Sequence, residues 1–174
     1  MYQRPPPNPR FDEFVRARSA SLLRAAFLLT GGDQHQAEDL VQSALARTLR
    51  AWSRLEREDN AEAYTRKTMY HLQVGWWRRR ARERRANKLL HPQEIVADGA
   101  DDVLRRLALK SVLRRLTPKQ RAVLVLRFYE DLSVAETADV LECSPGTVKS
   151  QTAKALTLLR DRAPQLRELR RAWT

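Results

Sequence analysis

The chain has 174 residues, enough for one domain or two small ones, and its hydrophobic content of 43% is that of an ordinary globular protein. Lys and Arg number 33 against 21 Asp and Glu, a formal net charge of +12, which implies a polyanionic partner: nucleic acid first, an anionic membrane surface second. No apolar run approaches the ~20 residues of a membrane span, and the start, MYQRPPPNPR, lacks the apolar stretch of a secretory signal.

Composition also argues against an enzyme. Cys143 is the only cysteine, so neither a disulfide framework nor a zinc cluster is expected. His35, His71 and His91 stand isolated, without the spacing of metal ligands. The chain has no Gly-rich phosphate loop and no nucleophile elbow. No metal, cofactor or catalytic residue is expected.

Residues 1–10 read as a disordered or extended arm, because their prolines oppose a helix. Apolar spacing then predicts a helix from Phe11 to Leu29, with Phe11, Phe14, Val15, Leu22, Ala25, Ala26 and Leu29 inward. Thr30-Gly31-Gly32 ends it, and Asp33 caps the next. That second helix, Gln34 to Trp52, has the clearest period in the chain: Ala37, Leu40, Val41, Ala44, Leu45, Thr48, Leu49 and Trp52. After a polar break, Glu56 to Asn60, a third helix runs from Ala61 to about Lys88, with Ala61, Tyr64, Thr65, Thr68, Met69, Leu72 and Trp76 as its apolar positions. Three helices with short connections make one small bundle.

His91-Pro92 marks a boundary, and PQEIVADGADD at 92–102 is acidic and aperiodic, which reads as a linker. Helix resumes from Asp102 to Leu116, with Val103, Leu107, Val112, Leu113 and Leu116 inward. Thr117-Pro118-Lys119-Gln120 is a capping box opening a helix that carries Ala122, Val123, Leu126 and Phe128. Ser133 and Glu136 form a second box before a short helix, Val134 to Leu141, with Ala135, Ala138 and Leu141 on one side. Ser144 and Pro145 suit the cap and first position of a last helix reaching about Leu159, with Val148, Ala155, Leu156 and Leu159 at core spacing. The residues after Asp161 read as a basic tail.

Two capped helices about a short turn outline a helix-turn-helix, whose second helix enters the DNA major groove. Its outer face carries Thr147, Lys149, Ser150, Gln151 and Lys154, without a carboxylate. An ordinary corner between two helices with a solvated face is the alternative. Residues 63–85 supply a second basic module. Tyr64, Tyr70, Trp76 and Trp77 alternate there with Arg66, Lys67 and six arginines between Arg78 and Arg85. Cations that track phosphate beside aromatic faces that stack on bases are what single-stranded nucleic acid requires. Trp76 reads as core. Trp77 and the arginines read as facing a polyanion, because clustered arginines repel one another without one. A helix lying on a membrane surface is the weaker alternative.

The chain resembles the extracytoplasmic-function sigma factors, the smallest class of the sigma-70 family. The resemblance rests on AEDLVQSALARTLRAW at 37–52, WWRRR at 76–80 and LTPKQRAVLVLRFYEDLSVAETADVLECSPGTVKSQTAKAL at 116–156. FLLTGG at 27–32 is similar to an actinobacterial-type subgroup. The resemblance implies an all-α protein of two small helical domains, a region 2 bundle at 11–88 and a region 4 helix-turn-helix at 103–162. A flexible acidic linker at 89–102 joins them, with an arm at 1–10 and a tail at 163–174.

Such a protein binds core RNA polymerase, directs it to promoters and helps melt the duplex, without covalent chemistry of its own. By motif position, Asp39, Leu40, Val41, Gln42 and Leu45 would dock on the clamp coiled coil of the β′ subunit, and the helix at 119–129 would face the β flap. Arg57, Asn60, Tyr64, Lys67, Tyr70, Trp77, Arg78, Arg79 and Arg80 would serve the −10 element and its melted non-template strand. Ser144, Thr147, Lys149, Ser150, Gln151 and Lys154 would serve the duplex −35 element. The setting is cytoplasmic, without a membrane. Many relatives are held by an anti-sigma factor, though no residue here identifies one. The family often has arginine where this chain has Lys149 and Gln151, which bears on bidentate guanine readout. It often has asparagine at the position of His71, so no −10 role passes to that residue. A stand-alone regulator with the same helix-turn-helix is the alternative from another class; it would leave the outer face of helix 34–52 unused.

Overall fold

The computed structural model describes residues 8–55, 58–86 and 102–162. The helices are α1 (Pro9–Leu29), α2 (Gln34–Ala51), α3 (Glu58–Ala86), α4 (Asp102–Arg115), α5 (Pro118–Leu124), α6 (Val134–Leu141) and α7 (Pro145–Arg162), and no strand occurs among the described residues. The acidic linker and the basic tail expected from the sequence fall almost wholly outside the described residues.

α1 begins at Pro9, inside the stretch expected to be an extended arm. Asn8 supplies the cap, its Oδ1 accepting from the Phe11 amide at 3.2 Å, and proline at the first helical position loses no bond the helix would have made. The end of α1 follows its Thr-Gly-Gly signal. Gly31 and Gly32 adopt φ of +73° and +81°. The Gly32 amide reaches back to the Phe27 carbonyl at 2.8 Å, a left-handed cap that L side chains resist. Asp33 Oδ1 then accepts from the Gln36 amide at 3.0 Å and starts α2. α2 closes into a short 3-10 turn, Trp52–Arg54. The Trp52 ring packs edge-on against Phe11, centroids 5.1 Å apart, and tilted against Phe14 at 5.5 Å.

Both predicted capping boxes form, Thr117 with Gln120 and Ser133 with Glu136, each with its reciprocal pair of bonds. Between them the chain departs from a regular helix: Val125–Tyr129 is a π turn, closed by the Glu130 amide on the Val125 carbonyl at 2.9 Å. Phe128, expected inward, is 61% exposed. It stands two residues beyond Leu126, about half a turn round any helix, so its apolar character does not place it on the buried stripe. Tyr64 and Leu156, also expected inward, lie at the margins of their stripes, each 36% exposed. Thr137, not Ala135, completes the buried side of α6.

The two halves of the chain share one core. Leu22, Leu29, Leu40 and Met69 of the first half and Val123, Leu126 and Val148 of the second belong to a single buried cluster. Burying side chains of this size stabilises by roughly 1.5–3 kcal/mol each. A smaller cluster, Leu113, Leu116 and Ala155, joins α4 to α7.

Candidate nucleic-acid interface

Ser144 positions the recognition helix. Its Oγ accepts from the Thr147 amide at 3.2 Å and lies 2.9 Å from the Thr147 hydroxyl, so both predicted hydroxyls are engaged in the cap itself. Val148 and Ala155 anchor α7 in the two cores. Lys149, Ser150 and Lys154 are exposed and Gln151 is half-buried. From Ser144 to Arg160 the sequence holds no Asp or Glu, so the face of α7 is uniformly donor-rich or cationic. The three residues from Glu142 to Ser144 make the turn between α6 and α7. Glu142 adopts φ +50°, and the next amide, Cys143, closes on the Ala138 carbonyl at 3.0 Å.

α3 presents two neighbouring faces. Asn60, Tyr64 and Lys67 fall at i, i+4 and i+7 and are exposed together. Arg78, Arg79 and Arg80 extend the exposed basic surface toward the C-terminal end, with Arg80 Nη1 donating to Gln36 Oε1 at 2.6 Å. Arg57 lies outside the described residues. The second face, Arg66, Tyr70, Gln73 and Trp77, turns toward the second half of the chain. Tyr70 is 3% exposed; burial first, and then the Glu130 carboxylate, push its phenol well above the usual value. Trp77 is half-buried and, with Gln73, Val74 and Arg78, lines a cleft closed on its far side by Pro118, Lys119, Ala122 and Leu141.

On α2, Asp39 and Gln42 are exposed and Leu45 is half-buried at their margin, whereas Leu40 and Val41 are core residues, 0% and 4% exposed. The outer face of α2 therefore leaves Asp39, Gln42 and the edge of Leu45 open to solvent. Leu40 and Val41 hold that face in place from beneath.

Three polar joints that no local pattern announces connect the halves. Arg66 Nη1 meets Glu130 Oε1 at 2.5 Å, while Arg66 Nη2 holds Glu62 Oε1 at 3.0 Å within α3. Burial works against this guanidinium, but Glu130 and Glu62 outweigh it and hold it above its usual value. Arg121 donates to the carbonyls of Leu113 at 2.8 Å, Leu116 at 3.0 Å and, across the interface, Leu29 at 3.2 Å. Burial pushes its pKa down to about 10, which leaves it charged at neutral pH. Glu142 stands 3.5 Å from Arg78 Nη1 and 3.6 Å from His71 Nδ1. Arg66 and Glu130 are 64 residues apart, and only the tertiary fold reveals such a pair.

A capped helix-turn-helix with an acid-free recognition face, behind a three-helix bundle with an exposed aromatic-basic stripe, defines a two-part helical DNA-binding protein. Residues 14–83 match the sigma-70 region 2 family and residues 106–159 the sigma-70 region 4 family. The RNA polymerase sigma-E factor of Streptomyces coelicolor is 42% identical over 151 residues, covering 87% of this chain and 84% of that one. The ECF RNA polymerase sigma factor SigL of Mycobacterium tuberculosis is 33% identical, with 82% of each chain covered. SigX of Bacillus subtilis, also an ECF sigma factor, is 27% identical over 78% of this chain and 75% of that one. Among solved structures, the sigma factor RpoE of Bartonella quintana, crystallised with the anti-sigma factor NepR, has the same fold, with a TM-score of 0.67 at 22% identity, covering 88% of this chain and 96% of that one. The chain belongs to the sigma-70 family, among its extracytoplasmic-function members. It is an RNA polymerase sigma factor that directs promoter-specific transcription.

Proposed function

We propose that the two basic faces divide the promoter between them. The acid-free face of α7 supports this most directly, because a duplex-reading helix needs donors and cations toward phosphate and base edges. Lys149, Ser150, Gln151 and Lys154 contact the −35 duplex, and Ser144 and Thr147 set the angle at which α7 enters the groove. Asn60, Tyr64, Lys67 and the arginines at 78–80, with Arg57 and Trp77, serve the −10 element and its melted non-template strand; Tyr70, expected among them, is buried and supports this face from beneath. Extracting a base from the stack costs a few kcal/mol, an amount comparable with one good stacking site. Asp39, Gln42 and Leu45, backed by Leu40 and Val41, dock on the β′ clamp coiled coil, and the surface around Phe128 faces the β flap.

The chain performs no covalent chemistry; polymerisation belongs to its partner. It works in the cytoplasm, where core polymerase is, and no helix among the described residues is long and apolar enough to cross a membrane. An anti-sigma factor is a further partner, supported by the fold shared with a sigma factor crystallised in such a complex. Run-off transcription with bacterial core polymerase on a promoter pool tests the reading. New transcripts with aligned starts support it and define both elements; failure to form a complex with core would leave only a stand-alone regulator.

A further inference from the structure

The outer face of α2 changes sign along its length. Asp39 is exposed toward its start, Arg47 and Arg50 are exposed toward its end, and Gln42 and Ala46 are the exposed residues between them. Residues 39, 42, 46 and 50 follow the three- and four-residue steps of one helical stripe, with Arg47 on its flank. At about 1.5 Å per residue, Asp39 lies roughly 12 Å from Arg47 and roughly 17 Å from Arg50 along the axis. Among the described residues, no ion pair engages any of these three side chains.

The helix dipole does not account for this order. It favours acids in the first turn and cations in the last, and fades beyond them. Arg50 is in the last turn of α2, but the first turn holds no acid, Asp39 is the sixth residue of the helix, and Arg47 lies a full turn before Ala51. The middle of the face is built differently from its ends. Ala46 carries nothing beyond Cβ and Leu45 shows only an edge, so a second helix can approach there to the about 8–10 Å at which helices pack. Charges around a small, apolar centre are the anatomy of a protein interface. Beneath, Leu40, Val41, Ala44 and Thr48 are buried, and the Thr48 hydroxyl meets that of Thr65, so the charges stand on a fixed support.

We infer that α2 reads the charge order of its partner: it accepts a helix of core polymerase in one direction only, with a cation against Asp39, an uncharged middle against Ala46 and carboxylates against Arg47 and Arg50. Turned end for end, the same partner would bring like charges together at both ends, which opposes binding and fixes the register. Arg47 and Arg50 are thus docking residues beside Asp39. The inference rests on the assignment of α2 to docking.

The test titrates the full-length chain, labelled at its N-terminus, with bacterial core polymerase and reads fluorescence anisotropy at low and high salt. Arg47→Gln/Arg50→Gln removes the basic end with a good helix former. Arg16→Gln/Arg24→Gln, exposed on α1, removes the same charge elsewhere. Asp39→Arg/Arg50→Glu exchanges the ends and leaves the net charge unchanged. The expected result is a loss of core affinity of about tenfold for the α2 glutamine pair at low salt, about twofold or less for the control, and a gap that narrows as salt rises. The exchanged variant should lose at least as much as the glutamine pair. A glutamine-pair loss no greater than the control's, or wild-type binding by the exchanged variant, overturns the inference. Asp39→Arg separates the two failures. If it loses core while the glutamine pair keeps it, α2 docks but does not read charge order; if neither change weakens binding, the docking assignment itself falls.

Discussion

Thr48 and Thr65 face each other across the contact between α2 and α3, their hydroxyl oxygens 2.8 Å apart and both residues wholly buried. Each hydroxyl also lies against the carbonyl one turn back, Ala44 at 3.0 Å and Ala61 at 2.7 Å. Neither threonine therefore depends on the other alone. Thr48→Val should cost about 1 kcal/mol, the net worth of one hydrogen bond. Thr48→Val/Thr65→Val should cost less than the sum of the single changes, because no hydroxyl is left facing a methyl group. Urea unfolding of the four proteins measures the coupling, and strict additivity would contradict it.

Asp33 gives the fold an acid-sensitive cap. Burial alone would raise its carboxyl, but the bonds from the Gln36 amide and side chain, with Lys110 and His35 nearby, outweigh it and hold the carboxyl below its usual value. The folded state thus binds its proton less readily than the unfolded chain does. The stabilisation is complete above the unfolded value, about 3.9, and fades as pH falls through the folded one. Asp33→Ala should lose about 1 kcal/mol at neutral pH, with the gap to wild type closing as pH is lowered from 5 toward 2. Thermal melts across that range would show it.

Asp39 is exposed on α2 and has no structural duty in the core. Asp39→Arg should leave the melting temperature within about 2 °C of wild type, as surface changes usually do. It should nonetheless abolish complex formation with core polymerase in a pull-down. Normal retention of core would remove Asp39 from the docking face.

Lys154 is exposed on the outer side of α7, where a flexible cation suits a phosphate contact. Lys154→Ala in the holoenzyme should weaken binding to all promoters nearly uniformly and reduce the salt dependence, log K against log salt, by about one unit. A loss confined to one promoter sequence would instead make Lys154 a base reader.

Much of this architecture is legible in the residues. Asp33, Thr117 with Gln120, and Ser133 with Glu136 announce their helix starts, because capping is chemistry confined to four consecutive residues. The helix-turn-helix and its acid-free face follow from the same local signals. Periodicity fails where a helix has two covered sides. On α3 the stripe Ala61, Thr65, Met69 and Leu72 is plain, but Arg66, Tyr70 and Gln73 beside it look like an open basic face until the second half of the chain is placed on them. Nothing near Glu130 or Glu142 in sequence says which cation each will meet. Phe128 misleads for another reason: its apolar side chain suggests core, whereas its angular position and the π turn put it outside.

Arg121 and Arg66 share a property that bears on how readily the halves come apart. Each guanidinium reaches across the interface with some of its N–H groups while others remain bound at home, Arg121 on Leu113 and Leu116, Arg66 on Glu62. Separation strips neither cation of all its partners; the Leu29 carbonyl and the Glu130 carboxylate are handed to water, which solvates both well. The joint behaves as a clutch rather than a weld. The polar part of the joint therefore costs little to release, and the apolar side chains that the two halves share are what hold them together.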